Sequence, residues 1–228
     1  MFLIRLNFAK NIFKMEKMTF RECTMTKLDE LFGLRQVKKI ETMSKWLAME
    51  YELNRFQKDV LLQFQEKFNQ NQMHWNEYEL VSHFVVPIFS LVNFTTDYFN
   101  DFGERPISAT IDGIELIGKP DGIIASGFRE PKIPFFCFTE YKPETDPSGD
   151  PYGQCLAAML VGQELNNPKR PIYGCVVKGA DWNFMLLEGK NYAISKRFVA
   201  DDEEIFVIFQ ILKCLKDILM KEFEPKKI

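Results

Sequence analysis

In the stretch FTEYKPE an acid and a lysine, Glu140 and Lys142, stand two residues apart at the end of the apolar run PFFCF. A strand repeats every two residues, so Phe136, Phe138, Glu140 and Lys142 are expected on one face. At about 3.3 Å per residue, Glu140 and Lys142 lie roughly 6–7 Å apart along the backbone, within reach of a common ligand. Asp121, in GKPDGIIASG, opens another candidate strand nineteen residues earlier. If SGFREPKI closes a hairpin between the two strands, Asp121 comes near Glu140. Converging carboxylates repel unless a cation lies between them, and with oxygen donors alone Mg²⁺ or Mn²⁺ is the natural occupant. A lysine beside such an ion can stabilise growing phosphate charge or orient an attacking water. Each fragment alone has a plainer reading, since PDG is a common turn and EYK a common charge pair at a sheet edge. Pro143 is expected to end the strand, which leaves Glu144 on the surface.

Other chemistries have less to work with. The only histidines, His74 and His83, have no suggestive Cys or Ser partner and read as structural or surface residues. Neither common glycine-rich phosphate loop occurs. The five cysteines are odd in number and lack CxxC spacing, which suits buried free thiols in a reducing compartment better than disulfides or zinc. Net charge is −3, so no global basic footprint for nucleic acid exists. Residues 1–40 nevertheless carry nine Lys/Arg against four Asp/Glu. A solvated leader is the plainer reading of this surplus, and phosphate contacts are the alternative. The N-terminal segment mixes charges too often for a signal peptide, and no apolar run reaches membrane-span length. The expected location is cytoplasmic.

The elements that must position these residues follow from periodicity. KKIETMSKWLAMEY and NRFQKDVLLQFQEKFNQN have helical apolar spacing, and WNEYELVSHFVVPIFSLVNF continues it with Pro87 as a kink or break. ISATIDGIELIG reads as a hairpin turning at Asp112-Gly113. Strands follow at DGIIASG and PFFCFTEYK. Asp150-Pro151 then offers an N-cap and a proline at the first helical position. In the helix they open, Gly153, Ala157, Ala158 and Gly162 would allow close packing on a sheet, and Asn167-Pro168 ends it. PIYGCVVKG and DWNFMLLEG are further strands, and EEIFVIFQILKCLKDILMKEF closes the chain as an amphipathic helix. The 22 Phe imply a largely aromatic core. The expected fold is α/β (α+β), a mixed central sheet flanked by helices. The expected organisation is a partly basic, helical extension over residues 1–40 and a single domain over 41–228, its core about 76–200.

The ordered set GKPDG, FTEYK and DPYGQCLAAMLVGQ resembles the PD-(D/E)xK nuclease superfamily, the restriction-endonuclease-like fold. Pro120-Asp121 matches the PD element, Glu140 the second acid and Lys142 the lysine. Gln154 opens the following helix, where a glutamine recurs in several branches. WNEYELVSHFVVPIF is similar to the acidic first helix of the branch containing the N-terminal nuclease domain of type I restriction subunits. Either Glu77 or Glu79 can be its acid. Helical spacing favours Glu77, which follows i, i+4, i+7, i+11 with Val81, Phe84 and Ile88 along an inward face. One departure is Ala158, where the helicase-associated nucleases carry a tyrosine four residues after the glutamine. The resemblance covers roughly residues 76–165 and implies a Mg²⁺-dependent (or Mn²⁺-dependent) nuclease. Asp121, Glu140 and the Tyr141 carbonyl would be metal ligands, with Glu77 holding water or a second ion and Lys142 serving the attacking water. DNA is the implied substrate, RNA less so, and Lys119, Lys132 and the basic arm are candidate phosphate contacts. No sequence-reading module is recognisable, and the net negative charge calls for a local basic groove or a partner, including a homodimer or larger complex. The competing reading is a catalytically inactive nuclease-fold binding or assembly module.

Overall fold

The computed structural model describes residues 16–143 and 149–223. Its strands are β1 Glu16–Thr19, β2 Arg35–Gln36, β3 Phe99–Gly103, β4 Ile107–Ile111, β5 Ile114–Gly118, β6 Gly122–Ser126, β7 Lys132–Lys142, β8 Ile172–Lys178, β9 Asp181–Glu188, β10 Asn191–Ile194 and β11 Phe198–Val199. The helices are α1 Met25–Phe32, α2 Glu41–Leu47, α3 Arg55–Asn71, α4 Glu77–Leu80, α5 Val86–Val92, α6 Pro151–Leu165 and α7 Glu204–Lys221. The main sheet runs β2-β10-β9-β8-β7-β6-β3, with β11 also paired to β9. It is mixed: β7 and β8 are parallel, whereas β6 and β7, β8 and β9, and β9 and β10 are antiparallel. A second sheet of three strands, β1-β5-β4, lies apart from it. The chain is thus a mixed α/β fold with a multi-strand mixed sheet flanked by helices.

Two apolar cores lie on the two faces of the main sheet. On one face Trp46, Phe68, Phe84, Trp182, Phe184 and Phe209 pack together beneath α2, α3, α5 and α7. Trp46 also donates its indole N–H to the Ile211 carbonyl at 2.9 Å, which satisfies the one polar atom of a fully buried ring. On the other face α6 is buried along nearly its whole length between the main sheet, the small sheet and α1. A helix enclosed on all sides has no polar stripe, and α6 is apolar around its circumference for this reason. Asp150 caps it by accepting from the Gly153 N–H at 2.9 Å, and its other oxygen accepts from the Met25 N–H at 2.9 Å. Gly162 meets β7 as expected: a Cβ there would lie 2.3 Å from the Phe138 ring. Gly153 serves a different neighbour, because its Cβ would collide with the Cys23–Thr24 backbone, 2.7 Å away, and not with the sheet.

The hairpin at Asp112-Gly113 forms with both residues at positive φ, 49° and 87°, as a two-residue turn matched to strand twist requires. It belongs to the small sheet, where β5 pairs in parallel with β1. Residues expected as an extension therefore contribute structure: β1 to the small sheet, α1 to the packing on α6, and β2 to the main-sheet edge beside β10. Residues 1–15 of the basic arm and Glu144 lie outside the described residues.

The five cysteines are free and buried. Among the described residues, no helix is long and apolar enough to cross a membrane.

Candidate active site

The β6–β7 hairpin sets the geometry. Gly122 pairs with Thr139 in antiparallel register, so Asp121, one residue before β6, lies across from Glu140. The Asp121 Oδ2 accepts the Tyr141 backbone N–H at 2.6 Å, and the Asp121 carbonyl accepts from the Glu104 N–H at 3.2 Å. The PDG segment is thus fastened to the end of β7 by its side chain and to the β3–β4 loop by its backbone.

Strand alternation holds at the end of β7 that carries the charges but fails nearer its start. Phe138 faces the α6 side, and Tyr141 and Cys137 face the other core. Phe136 also belongs to that other core, so it does not share a face with Phe138, Glu140 and Lys142 as expected. The register shift between Ile124 and Ala125 explains this: partners jump from Cys137 to Phe135, and the extra residue, Phe136, reverses the alternation.

Lys142 is the centre of a charge cluster. Its Nζ lies 3.2 Å from Glu140 Oε1 and 3.2 Å from Glu77 Oε2. The Lys142 and Glu140 side chains are only 14% and 7% exposed, against 47% for Glu77. Burial, reinforced by the Asp121 charge, pushes the Glu140 carboxyl up to about 8, with Lys142 opposing the rise. Burial also pushes Asp121 up to about 6, against the lowering effect of the Tyr141 N–H and Lys142. For Lys142, burial pulls downward, but the carboxylates of Glu140, Asp121 and Glu77 outweigh it and hold the ammonium above its ordinary range.

The helix carrying Glu77 decides between the two candidate acids. Glu79 accepts the Asn76 N–H at 2.9 Å while Asn76 Oδ1 accepts from the Glu79 N–H, a capping box that occupies Glu79 at the helix start. Glu77 instead reaches Lys142. Between α4 and α5 a π-helical turn, Val81–Val85, immediately precedes Pro87, whose ring cannot follow the ordinary hydrogen-bond ladder. Phe84 and Ile88 are fully buried along the inward face, and Val81 packs against the same core. His74 and His83 are exposed.

Asp121, Glu140, Lys142 and Glu77 line one cavity of about 630 Å³. Gln154, in the first turn of α6, lines it too, as does exposed Lys119. Lys17, Thr19, Phe20 and Arg21 line it as well, and their place there had no signal beyond a diffuse basic surplus. Glu104 was also missed, for it is a loop residue at positive φ that joins Asp121, Glu77 and Tyr141 around an adjoining recess of about 150 Å³. Lys132 does not join the cavity: it opens β7 beside Ser126, at the far end of both strands from Asp121 and Lys142.

The donors suit a hard divalent cation that keeps much of its own water. Glu140 is buried and Asp121 half-buried, and the Asp121 charge raises the Glu140 pKa, a repulsion that a cation between them would relieve. Backbone groups of successive strand residues point to opposite edges. The Lys142 carbonyl accepts from the Gly179 N–H beside β8, whereas the Tyr141 N–H points to Asp121, so the Tyr141 carbonyl faces the Asp121 edge. Among the described residues no group of three or more His, Cys, Asp or Glu could hold a metal by itself. Two carboxylates and a carbonyl are nonetheless a sufficient set for Mg²⁺, which commonly takes one or two carboxylates plus substrate phosphate. No protein-family model matches the chain, and no curated protein matches it.

Proposed function

We propose that the chain is a metal-dependent nuclease of the restriction-endonuclease-like fold, hydrolysing phosphodiester bonds in DNA. The supporting observation is the convergence of Asp121, Glu140, Lys142 and Glu77 from three separate elements on one cavity. Asp121, Glu140 and the Tyr141 carbonyl would hold Mg²⁺ or Mn²⁺. When bound, the ion would neutralise charge on the scissile phosphate and acidify water.

An ammonium has three N–H donors. Glu77 and Glu140 engage Lys142 on two sides, at 3.2 Å each. Among the described residues no other group engages Lys142, which leaves the third donor for a phosphate oxygen or the attacking water. Glu77 acts in this scheme by holding Lys142 at the cavity, and the Tyr141 N–H fixes one Asp121 oxygen so that the other can turn inward. The low exposure of Glu140 and Lys142 limits competing water, which strengthens each of these electrostatic contacts.

The test is cleavage of single- and double-stranded DNA by purified protein with Mg²⁺ or Mn²⁺, and with EDTA as control. Lys142→Ala and Asp121→Ala are each expected to abolish cleavage while leaving a cooperative melt. Cleavage that survives both changes overturns the assignment.

A further inference from the structure

We propose that the wall of the cavity formed by β1, the 3₁₀ turn Phe20–Glu22 and the end of β5 is a nucleotide subsite that selects an unpaired strand; this rests on the phosphodiester substrate proposed above. Three cations line this wall: Lys17, Arg21 and Lys119. Lys17 is engaged with Glu115 at 3.5 Å. Arg21 and Lys119 are exposed and make no ion pair or hydrogen bond among the described residues, so their charge is available to a ligand. Both stand on the same cavity as buried Lys142 and the carboxylates. A phosphate chain with one phosphate at Lys142 can therefore place a neighbouring phosphate against Arg21 and Lys119, the guanidinium gripping two oxygens.

The same cavity has apolar lining from Phe20, Pro106, Ile117 and Gly118. Its shape depends on Gly118, because a Cβ there would lie 2.2 Å from the Phe20 ring. The Phe20 ring is itself buried against Gly118, so the apolar shelf open to a base is that of exposed Pro106 and half-buried Ile117, beside the cationic rim. A cavity of about 630 Å³ falls in the range that encloses a small ligand. A base in a duplex is stacked and paired and reaches such a shelf only by extrusion, at a cost of a few kcal/mol. Single-stranded DNA reaches it freely.

Binding without divalent metal separates this inference from the hydrolytic one. Fluorescence anisotropy would follow a short fluorescein-labelled single strand and the matching duplex across a salt series. The protein is expected to bind the single strand more tightly. Arg21→Gln/Lys119→Gln is expected to weaken it roughly tenfold and to lower the salt slope by about 0.7, the contribution of the one phosphate the two cations share. The charge-conserving pair Arg21→Lys/Lys119→Arg should keep the slope, and circular dichroism should show every variant folded. An unchanged slope in the neutral variant, or equal binding of duplex and single strand, overturns the subsite even if the protein cleaves DNA. Binding that follows this pattern in a protein that cleaves nothing sustains the subsite and removes the proposed hydrolysis.

Discussion

A carboxylate buried beside another carboxylate should cost the fold stability, and Glu140→Gln measures how much. Glu140 is 5% exposed, and its pKa is moved from 4.5 to about 8 by burial and by Asp121. The folded value is above the unfolded one, so the folded state holds the proton more tightly. The associated stability is fully present below about 4.5 and is lost as pH rises through about 8. At about 1.4 kcal/mol per pH unit that interval sets a ceiling of roughly 5 kcal/mol. That value already includes the opposing Lys142 ammonium 3.2 Å away, and with relaxation and water penetration ~1–3 kcal/mol is the expected net cost at pH 8. Glutamine keeps the shape and removes the charge. For a domain of this size each kcal/mol moves the melting temperature by about 2–4 °C. In EDTA, Glu140→Gln should therefore melt roughly 3–10 °C above the parent at pH 8, with the gap closing near pH 5. The slope between about pH 6 and 8 should flatten, because the group that titrates at about 8 is gone and the remaining Asp121 titrates at about 6. Thermal denaturation followed by circular dichroism reads both effects. An equal or lower melting temperature at pH 8, with the parent's slope intact, would refute the claim that this site is strained by its own charges.

Other substitutions test the architecture around the site. Glu79→Ala should lose about 1 kcal/mol with its capping box and leave cleavage rates near the parent's, whereas Glu77→Ala should depress cleavage with little change in melting. Equal activity losses in both would return the choice between them to an open question. Asn166, which accepts from the Phe135 N–H and donates to the Phe135 carbonyl at 2.8 Å each, docks the end of α6 onto β7; Asn166→Ala strands two buried backbone groups and should cost ~2–4 kcal/mol in urea unfolding. Gly162→Ala pushes a methyl toward the Phe138 ring, 2.3 Å from the ideal Cβ, and should cost ~1–3 kcal/mol unless the ring moves.

Periodicity and turn chemistry are local properties, and what depends on them was legible in the sequence. The two-residue turn at Asp112-Gly113, the capped start of α6 at Asp150-Pro151 and the antiparallel pairing of β6 with β7 follow from residues close together in the chain. The placement of Asp121 opposite Glu140 does not, because register shifts at Ile124/Ala125 and Ala125/Ser126 displace β7 by three residues from the pairing that Ser126 and Lys132 begin. Phe136 shows where such reasoning stops. One extra residue in β7 reverses which face a side chain occupies, and nothing in PFFCF marks the bulge, because every residue there is apolar whichever core it enters. Glu77 and Glu79 were distinguishable only in part by helical spacing; the capping box that occupies Glu79 is a matter of where the helix begins.

By itself, the sequence determined most of the helices and strands from residue 41 onward and the pair of acids with a lysine two positions on, but not β1 and β2, where a helical extension is expected. Tertiary structure decided the company those residues keep. Parallel pairing of β1 with β5 brings Arg21 to the cavity that Lys142 lines, and the β3–β4 loop brings Glu104 to Asp121. Such contacts depend on how two sheets and α6 bury their apolar faces together, a collective outcome that no short window of residues records. The charges of Glu140 and Lys142 look misplaced in FTEYKPE for the same reason: their partners are supplied by elements folded from elsewhere.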